Sequence, residues 1–319
     1  MFASATEIVT ITLNPAIDRL IEVGNFEVGR HQMGRRIDTY PAGKGIRLSR
    51  VLARLGTRSI ATGFVGHREL DLFESFLSAP AAGRAVSQML RVNQPTRENV
   101  TIVDPINDRS TYVREEGFEI TPKDLERIQG KIGLMARDEA ILCFCGSIPP
   151  GLGVDTFAQM VKRAITAGAR VLIDTFGEPL EATRDLPVWM IRMNRTTAAE
   201  IAGHPVTTRD DALEMARFLS KRGAMAAVTV GPEGAAFCTP GQTWTGHVGI
   251  HPGLVINTVG CGESFVAGLL HEWRRSGDWA AAFREGLTVA TVNATTVRSG
   301  EIDAETREEF RKLAVIEAR

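Results

Sequence analysis

From about residue 140 onward, short runs of apolar and β-branched residues take turns with longer amphipathic stretches. Residues 140–145, 170–174, 188–193 and 225–230 have the length and composition of buried strands. Between and after them, residues 154–167, 208–222, 262–275 and 279–298 carry helical spacing, and a last helix is expected near 304–313. The same rhythm opens the chain. Ile8, Val9, Thr10, Ile11, Thr12 and Leu13 form a β-rich run that stops at Asn14-Pro15, and Leu48, Val51, Leu52 and Leu55 mark a helix that ends at Gly56. Residues 58–64 then read as a strand and 69–78 as a helix. Strands alternating with helices of this length predict an α/β fold: a doubly wound, mainly parallel sheet with helices on both faces.

Two β-rich pieces, about 17–42 and 90–116, break the alternation. They are expected to leave the main sheet and pair with each other as a small β-sheet lid. No repeat or low-complexity linker interrupts the chain, so residues 1–319 are expected to form one domain bearing this lid. With 37 Lys+Arg against 38 Asp+Glu, the net charge of −1 gives no global attraction to nucleic acid or an anionic membrane. No apolar run approaches the ~18 residues of a membrane span. The first sixteen residues lack a basic leader and read as the approach to a strand, so a cytoplasmic location is expected. The four cysteines contain no C-x-x-C pair, which argues against a disulfide framework or structural zinc.

Four segments could carry chemistry. Gly260-Cys261-Gly262 leads straight into an amphipathic helix, with Glu263 in its first turn. Such a turn aims unpaired backbone N–H groups and the helix dipole at one point, an anion site, and an adjacent carboxylate could act as a base. A merely glycine-capped helix fits this stretch equally well. Gly43-Lys44-Gly45 is a second glycine turn before a helix, though not a Walker A loop. Asp18 follows the first strand, where α/β sheets bind ligands, and Arg97 stands at the base of the proposed lid. A turn aspartate and a surface arginine are the plainer readings of those two. Cys261, at a helix N-terminus, is expected to have a lowered thiol pKa. His247 and His251 are four apart but flank Gly249 and Pro252, so a helical metal pair is not expected.

Taken in order, these segments resemble the PfkB (ribokinase-like) carbohydrate kinase family, in its branch of 1-phosphofructokinases and tagatose-6-phosphate kinases. The resemblance covers nearly the whole chain. It rests on residues 10–18, on Ala42-Gly43-Lys44-Gly45-Ile46 with 51–56, and on Thr96-Arg97 with Asn99-Val100. It continues through 117–122, Gly146-Ser147-Ile148-Pro149-Pro150-Gly151, 230–235, and Asn257 to Gly268. The resemblance implies ATP and Mg²⁺, and transfer of a γ-phosphate to a hydroxyl of a sugar phosphate, most simply fructose 1-phosphate. It places Asp18, Gly43, Lys44, Arg47, Arg97 and Ser147 around the sugar phosphate. It makes Gly260, Cys261 and Gly262 the anion hole and Glu263 the base. Asn194, Thr229, Gly231, Gly234 and Asn293 fall toward the nucleotide. The metal ligands stay unassigned, and a homodimer through the lid is expected.

The chain departs from the family pattern at three places. Glu263 stands where the family has Asp, and Arg47 where its helix carries a sugar-binding Asn. The N-x-x-E element reads Asn194-Arg195-Thr196-Thr197, with Glu200 one helical turn late. A family member that binds without transferring phosphate, or a kinase for another sugar or a nucleoside, therefore remains open at this point.

Overall fold

The computed structural model of the protein describes residues 7–79, 84–221 and 223–319. Its first part runs β1 (Ile8–Thr12), β2 (Ala16–Glu22), β3 (Arg35–Ala42), α1 (Lys44–Arg54), β4 (Ser59–Gly66), α2 (Leu70–Ser78) and β5 (Ala85–Val92). Next come β6 (Arg97–Asp104), β7 (Arg109–Arg114), α3 (Pro122–Met135), β8 (Ile141–Cys145), α4 (Val154–Thr166), β9 (Arg170–Asp174), α5 (Glu178–Glu181) and β10 (Met190–Asn194). The chain ends with α6 (Arg195–Ala202), α7 (Arg209–Ser220), β11 (Met225–Thr229), β12 (Ala235–Thr239), β13 (Gln242–Val248), α8 (Cys261–Ser276), α9 (Trp279–Ala294), α10 (Ala304–Leu313) and β14 (Ala314–Ala318).

Ten strands form the main sheet in the order β14-β13-β12-β11-β10-β9-β8-β1-β4-β5. From β11 to β5 every neighbouring pair is parallel. β12, β13 and β14 continue it antiparallel. Period-two alternation sends successive side chains to opposite faces. Val9, Ile11, Leu142, Phe144, Val171 and Ile173 therefore pack beneath α3, α4 and α7. Ile8, Ile141, Cys143 and Leu172 join the other core with α1, α8 and α9.

The extra β pieces form a separate four-stranded sheet, β3-β2-β6-β7, in which β2 and β6 are parallel neighbours. One expected boundary needs correction. Residues 90–92 belong to β5, which pairs with β4 at the edge of the main sheet and not with the small sheet. The helix expected over 208–222 is observed as Arg209–Ser220, and residue 222 lies outside the described residues, as do residues 1–6 of the expected leader-free start. The helix expected over 279–298 ends earlier, at Ala294. None of the helices is long and apolar enough to cross a membrane, among the described residues.

Candidate active site

The parallel strands end at one rim of the sheet, and the chemistry-bearing residues collect there. Asp174, Asn194 and Thr229 are the last residues of β9, β10 and β11, and Gly146 and Ser147 follow β8 directly. That is where α/β sheets of this topology leave a crevice.

α8 starts at this rim. Gly260 is its N-cap, in the left-handed region at φ 84°, and no side chain caps the helix. Its first N–H groups thus have no side-chain cap, the Cys261 N–H reaching the Thr258 carbonyl at 3.5 Å, and they carry the positive end of the dipole. The positive φ of Gly260 favours glycine there, and both positions are closely packed. A Cβ on Gly260 would fall 1.8 Å from Ser299 Oγ, and one on Gly262 would fall 2.2 Å from Nη2 of Arg192. Asn293 holds the turn from behind. Its Nδ2 donates to Val259 O (2.9 Å), and its Oδ1 accepts from the Gly300 N–H (2.7 Å).

Three cations and three carboxylates gather at this rim. Asp174, with a side chain only 2% exposed, accepts from Lys44 Nζ at 2.7 Å and pairs with Arg192 Nη1 at 3.4 Å. Burial alone would raise the Asp174 pKa, but these two cations outweigh it and hold it below the ordinary carboxylate range. Arg192 also donates to Thr229 Oγ1 (2.8 Å), while its Nε is buried without a partner. Across the turn, Arg47 Nη2 donates to Asp18 Oδ2 at 2.5 Å, and Nη1 lies 3.9 Å from Glu263 Oε1. Asn99 Nδ2 also donates to Asp18 (2.8 Å). Gly43, at φ 133°, is forced to be glycine, because a Cβ would meet Thr12 Cγ2 at 2.7 Å.

Not every expected residue lies open to a ligand. Asn293 is expected toward the nucleotide, yet it is fully buried and committed to the Val259 and Gly300 backbone, so it supports the Gly260–Gly262 turn from beneath. Arg97 donates to the carbonyls of Asn14 (3.2 Å), Pro15 (3.2 Å) and Glu115 (2.8 Å), and burial lowers its pKa. It staples the β1–β2 junction. Ser147 accepts from Asn14 Nδ2 (3.2 Å). Asn194 is exposed, but its Oδ1 caps α6 by accepting from the Thr197 N–H (2.9 Å). Gly231 and Gly234 form the turn after β11, and a Cβ on Gly234 would lie 2.0 Å from Gly246 O. The expected lowering at Cys261 is reversed: burial, with the Glu263 carboxylate adding to it, raises the thiol above its ordinary value.

Sequence reasoning passed over Arg192. The signal was present, since a charged residue inside the apolar strand Met190–Asn194 is costly unless it is paired.

A family model described as pfkB family carbohydrate kinase matches residues 9–307. The chain belongs to this family. It is an enzyme of the carbohydrate kinase class, similar to 1-phosphofructokinases. The 1-phosphofructokinase of Bacillus subtilis (strain 168) is 29% identical over 298 residues, covering 92% of this chain and 94% of that one. That of Rhodobacter capsulatus is 30% identical over 269 residues, covering 83% of each. Among solved structures, a phosphofructokinase-like protein of Staphylococcus aureus superposes with a TM-score of 0.80 at 26% identity, over 98% of this chain and 99% of that one. Phosphofructokinase-2 from Escherichia coli, solved with substrates and products, gives 0.86 at 20% identity over 96% and 99%, which speaks to the fold alone.

Proposed function

We propose that the protein transfers the γ-phosphate of ATP to a hydroxyl of a ketohexose phosphate, converting fructose 1-phosphate to fructose 1,6-bisphosphate. One observation carries the reading. The uncapped turn at Gly260–Gly262 and the Glu263 carboxylate share the start of α8 and face Asp18 across Arg47. A hydroxyl oriented by Asp18 would give its proton to Glu263 as its oxygen attacks the γ-phosphorus, the bond from that phosphorus to the β–γ bridging oxygen breaks, and ADP leaves. The backbone N–H groups of the turn would take up the phosphate's charge. Lys44 and Arg192, already held by Asp174, add cations on the phosphate side.

The acceptor side belongs to the small sheet. Asp18 lies on β2 and Asn99 on β6, so the sheet acts as a lid that brings acceptor groups with it and excludes water. The ion pair Arg298–Asp38 (2.5 Å) and the Tyr40–Phe76 stack join this lid to the main body. In this reading residues 1–319 are a single kinase domain, and the fully exposed β7 offers its surface to a second copy. The phosphofructokinase-2 of Escherichia coli has a tetrameric inhibited form.

The family implies Mg²⁺, but the residues here do not form a site of their own for it. Asp18, Asp174 and Glu263 each have a cationic neighbour, and among the described residues no three His, Cys, Asp or Glu side chains gather to hold a metal. Binding without transfer is favoured by one feature. The family glutamate is replaced by Thr197, whose N–H occupies the Asn194 side chain. An ADP-release assay across sugars, sugar phosphates and nucleosides separates the readings. Turnover is expected with fructose 1-phosphate, and its absence with every acceptor would establish the binding protein.

A further inference from the structure

We infer that Arg47 is a positioning residue for Glu263, and that the two form one unit in place of a shorter pair. The inference rests on the kinase reading, in which Glu263 is the base. Glu263 is 7% exposed, and among the described residues Arg47 is its one ion-pair partner, Nη1 to Oε1 at 3.9 Å. The same guanidinium is fixed on its other side by Asp18 at 2.5 Å, and its Cδ lies 3.4 Å from where a Cβ on Gly260 would stand. A planar fork anchored on Asp18 and packed on the anion turn is a rigid reference for a carboxylate.

Burial would lower the Arg47 pKa, but the charges of Asp18 and Glu263 outweigh it and raise it, so the guanidinium stays charged between them. Glutamate carries one more carbon–carbon bond than aspartate, about 1.5 Å of reach, and one more rotatable torsion. A base that has gained length and freedom needs a fixed neighbour. Arg47 and Glu263 face each other across 3.9 Å with both side chains largely buried. Arg47 therefore sets where the Glu263 carboxylate sits, while Glu263 takes the proton.

The test is a double-mutant cycle on turnover of fructose 1-phosphate with R47N, E263D and R47N/E263D. Each single change misplaces the base by roughly 1 Å and is expected to lower kcat by about 10- to 100-fold. Any loss through Asp18 appears in the acceptor KM. The double variant shortens both partners together, and its kcat should exceed the product of the two single effects by at least tenfold, a coupling of about 1.4 kcal/mol. R47K, which keeps the charge without the fork, should fall between wild type and R47N. A double variant whose loss equals the product of the singles overturns the inference. Should the wild type turn over no acceptor, the kinase reading fails, and thermal unfolding of R47N, E263Q and R47N/E263Q decides the pairing by itself. The midpoint should then fall further for R47N when Glu263 is present than in the E263Q background. Equal shifts overturn it.

Discussion

Asp174→Asn removes the one negative charge held between Lys44 and Arg192, and its cost follows from the distances. With an effective dielectric constant near 20, a unit charge pair at 2.7 Å is worth about 6 kcal/mol and one at 3.4 Å about 5 kcal/mol before desolvation. Part of that is cancelled, because the neutral amide no longer has to be stripped of water as an anion. Breaking a buried pair by deleting one partner typically leaves a net loss of about 3–5 kcal/mol, and here two cations lose their partner at once. For 319 residues the unfolding entropy makes each kcal/mol worth about 1.5 °C. The midpoint of Asp174→Asn should therefore fall by about 5–8 °C in thermal unfolding followed by circular dichroism. The pH dependence sharpens the test. The folded-state pKa of Asp174 is depressed, so its contribution is fully present above the unfolded value near 3.9 and is lost as pH falls through the folded one. The gap between wild type and variant should stay constant from pH 7 to about pH 4.5 and narrow only below about pH 4. A shift under about 1 °C at pH 7, or a gap that widens toward acid, would refute the account of Asp174 as the keystone of the cation pair.

Glu263→Gln should abolish turnover while leaving calorimetric binding of ATP and fructose 1-phosphate largely intact, because only proton abstraction is removed; wild-type turnover would show that the base lies elsewhere. Gly262→Ala places a methyl 2.2 Å from the Arg192 guanidinium. The guanidinium must shift to make room, and kcat should fall by about 100-fold, the scale of a roughly 1 Å misplacement at the site; an unchanged kcat would remove the turn from the mechanism. Thr121→Ala breaks the capping box that Thr121 and Asp124 form at the start of α3 and should cost about 1 kcal/mol, read in denaturant unfolding. No loss there would mean that α3 is held by packing of Ile128 and Ile132 alone.

The parallel half of the fold was legible because its strands are buried on both faces and so read as unbroken apolar runs, as in Ile141–Cys145. What escaped lies at the edges, where burial weakens and polar residues enter. β5 lies at the outer edge of the main sheet; its polar Ser87 and Gln88 left its first half unread as a strand, and its last residues, 90–92, were expected in the small sheet. β14 follows α10 without a turn residue between Leu313 and Ala314. Its alanines and glutamate favour helix, and pairing with β13 overrides that preference. α3 left a local signal in Thr121-Pro122-Lys123-Asp124, a capping box with proline at the first helical position, that the reading of strands and helices passed over.

The candidate site was legible as local geometry, as at the Gly-x-Gly turn before α8, where one short segment contains its own reason. It was illegible where function depends on which charges meet across the fold. Lys44, Asp174 and Arg192 come from α1, β9 and β10, and no spacing rule joins them. In the proposed kinase reading this arrangement bears on catalysis as well as stability. Lys44 and Arg192 are held on Asp174, so an arriving phosphate would meet cations whose ordering has largely been done by folding. The opposing cost is competition with Asp174, which must share both cations with the incoming anion. Arg192 is suited to that exchange. Its Nε lacks a partner, and its guanidinium lies against Gly262, so in that reading it would face the turn proposed to receive the phosphate while Nη1 stays near the carboxylate.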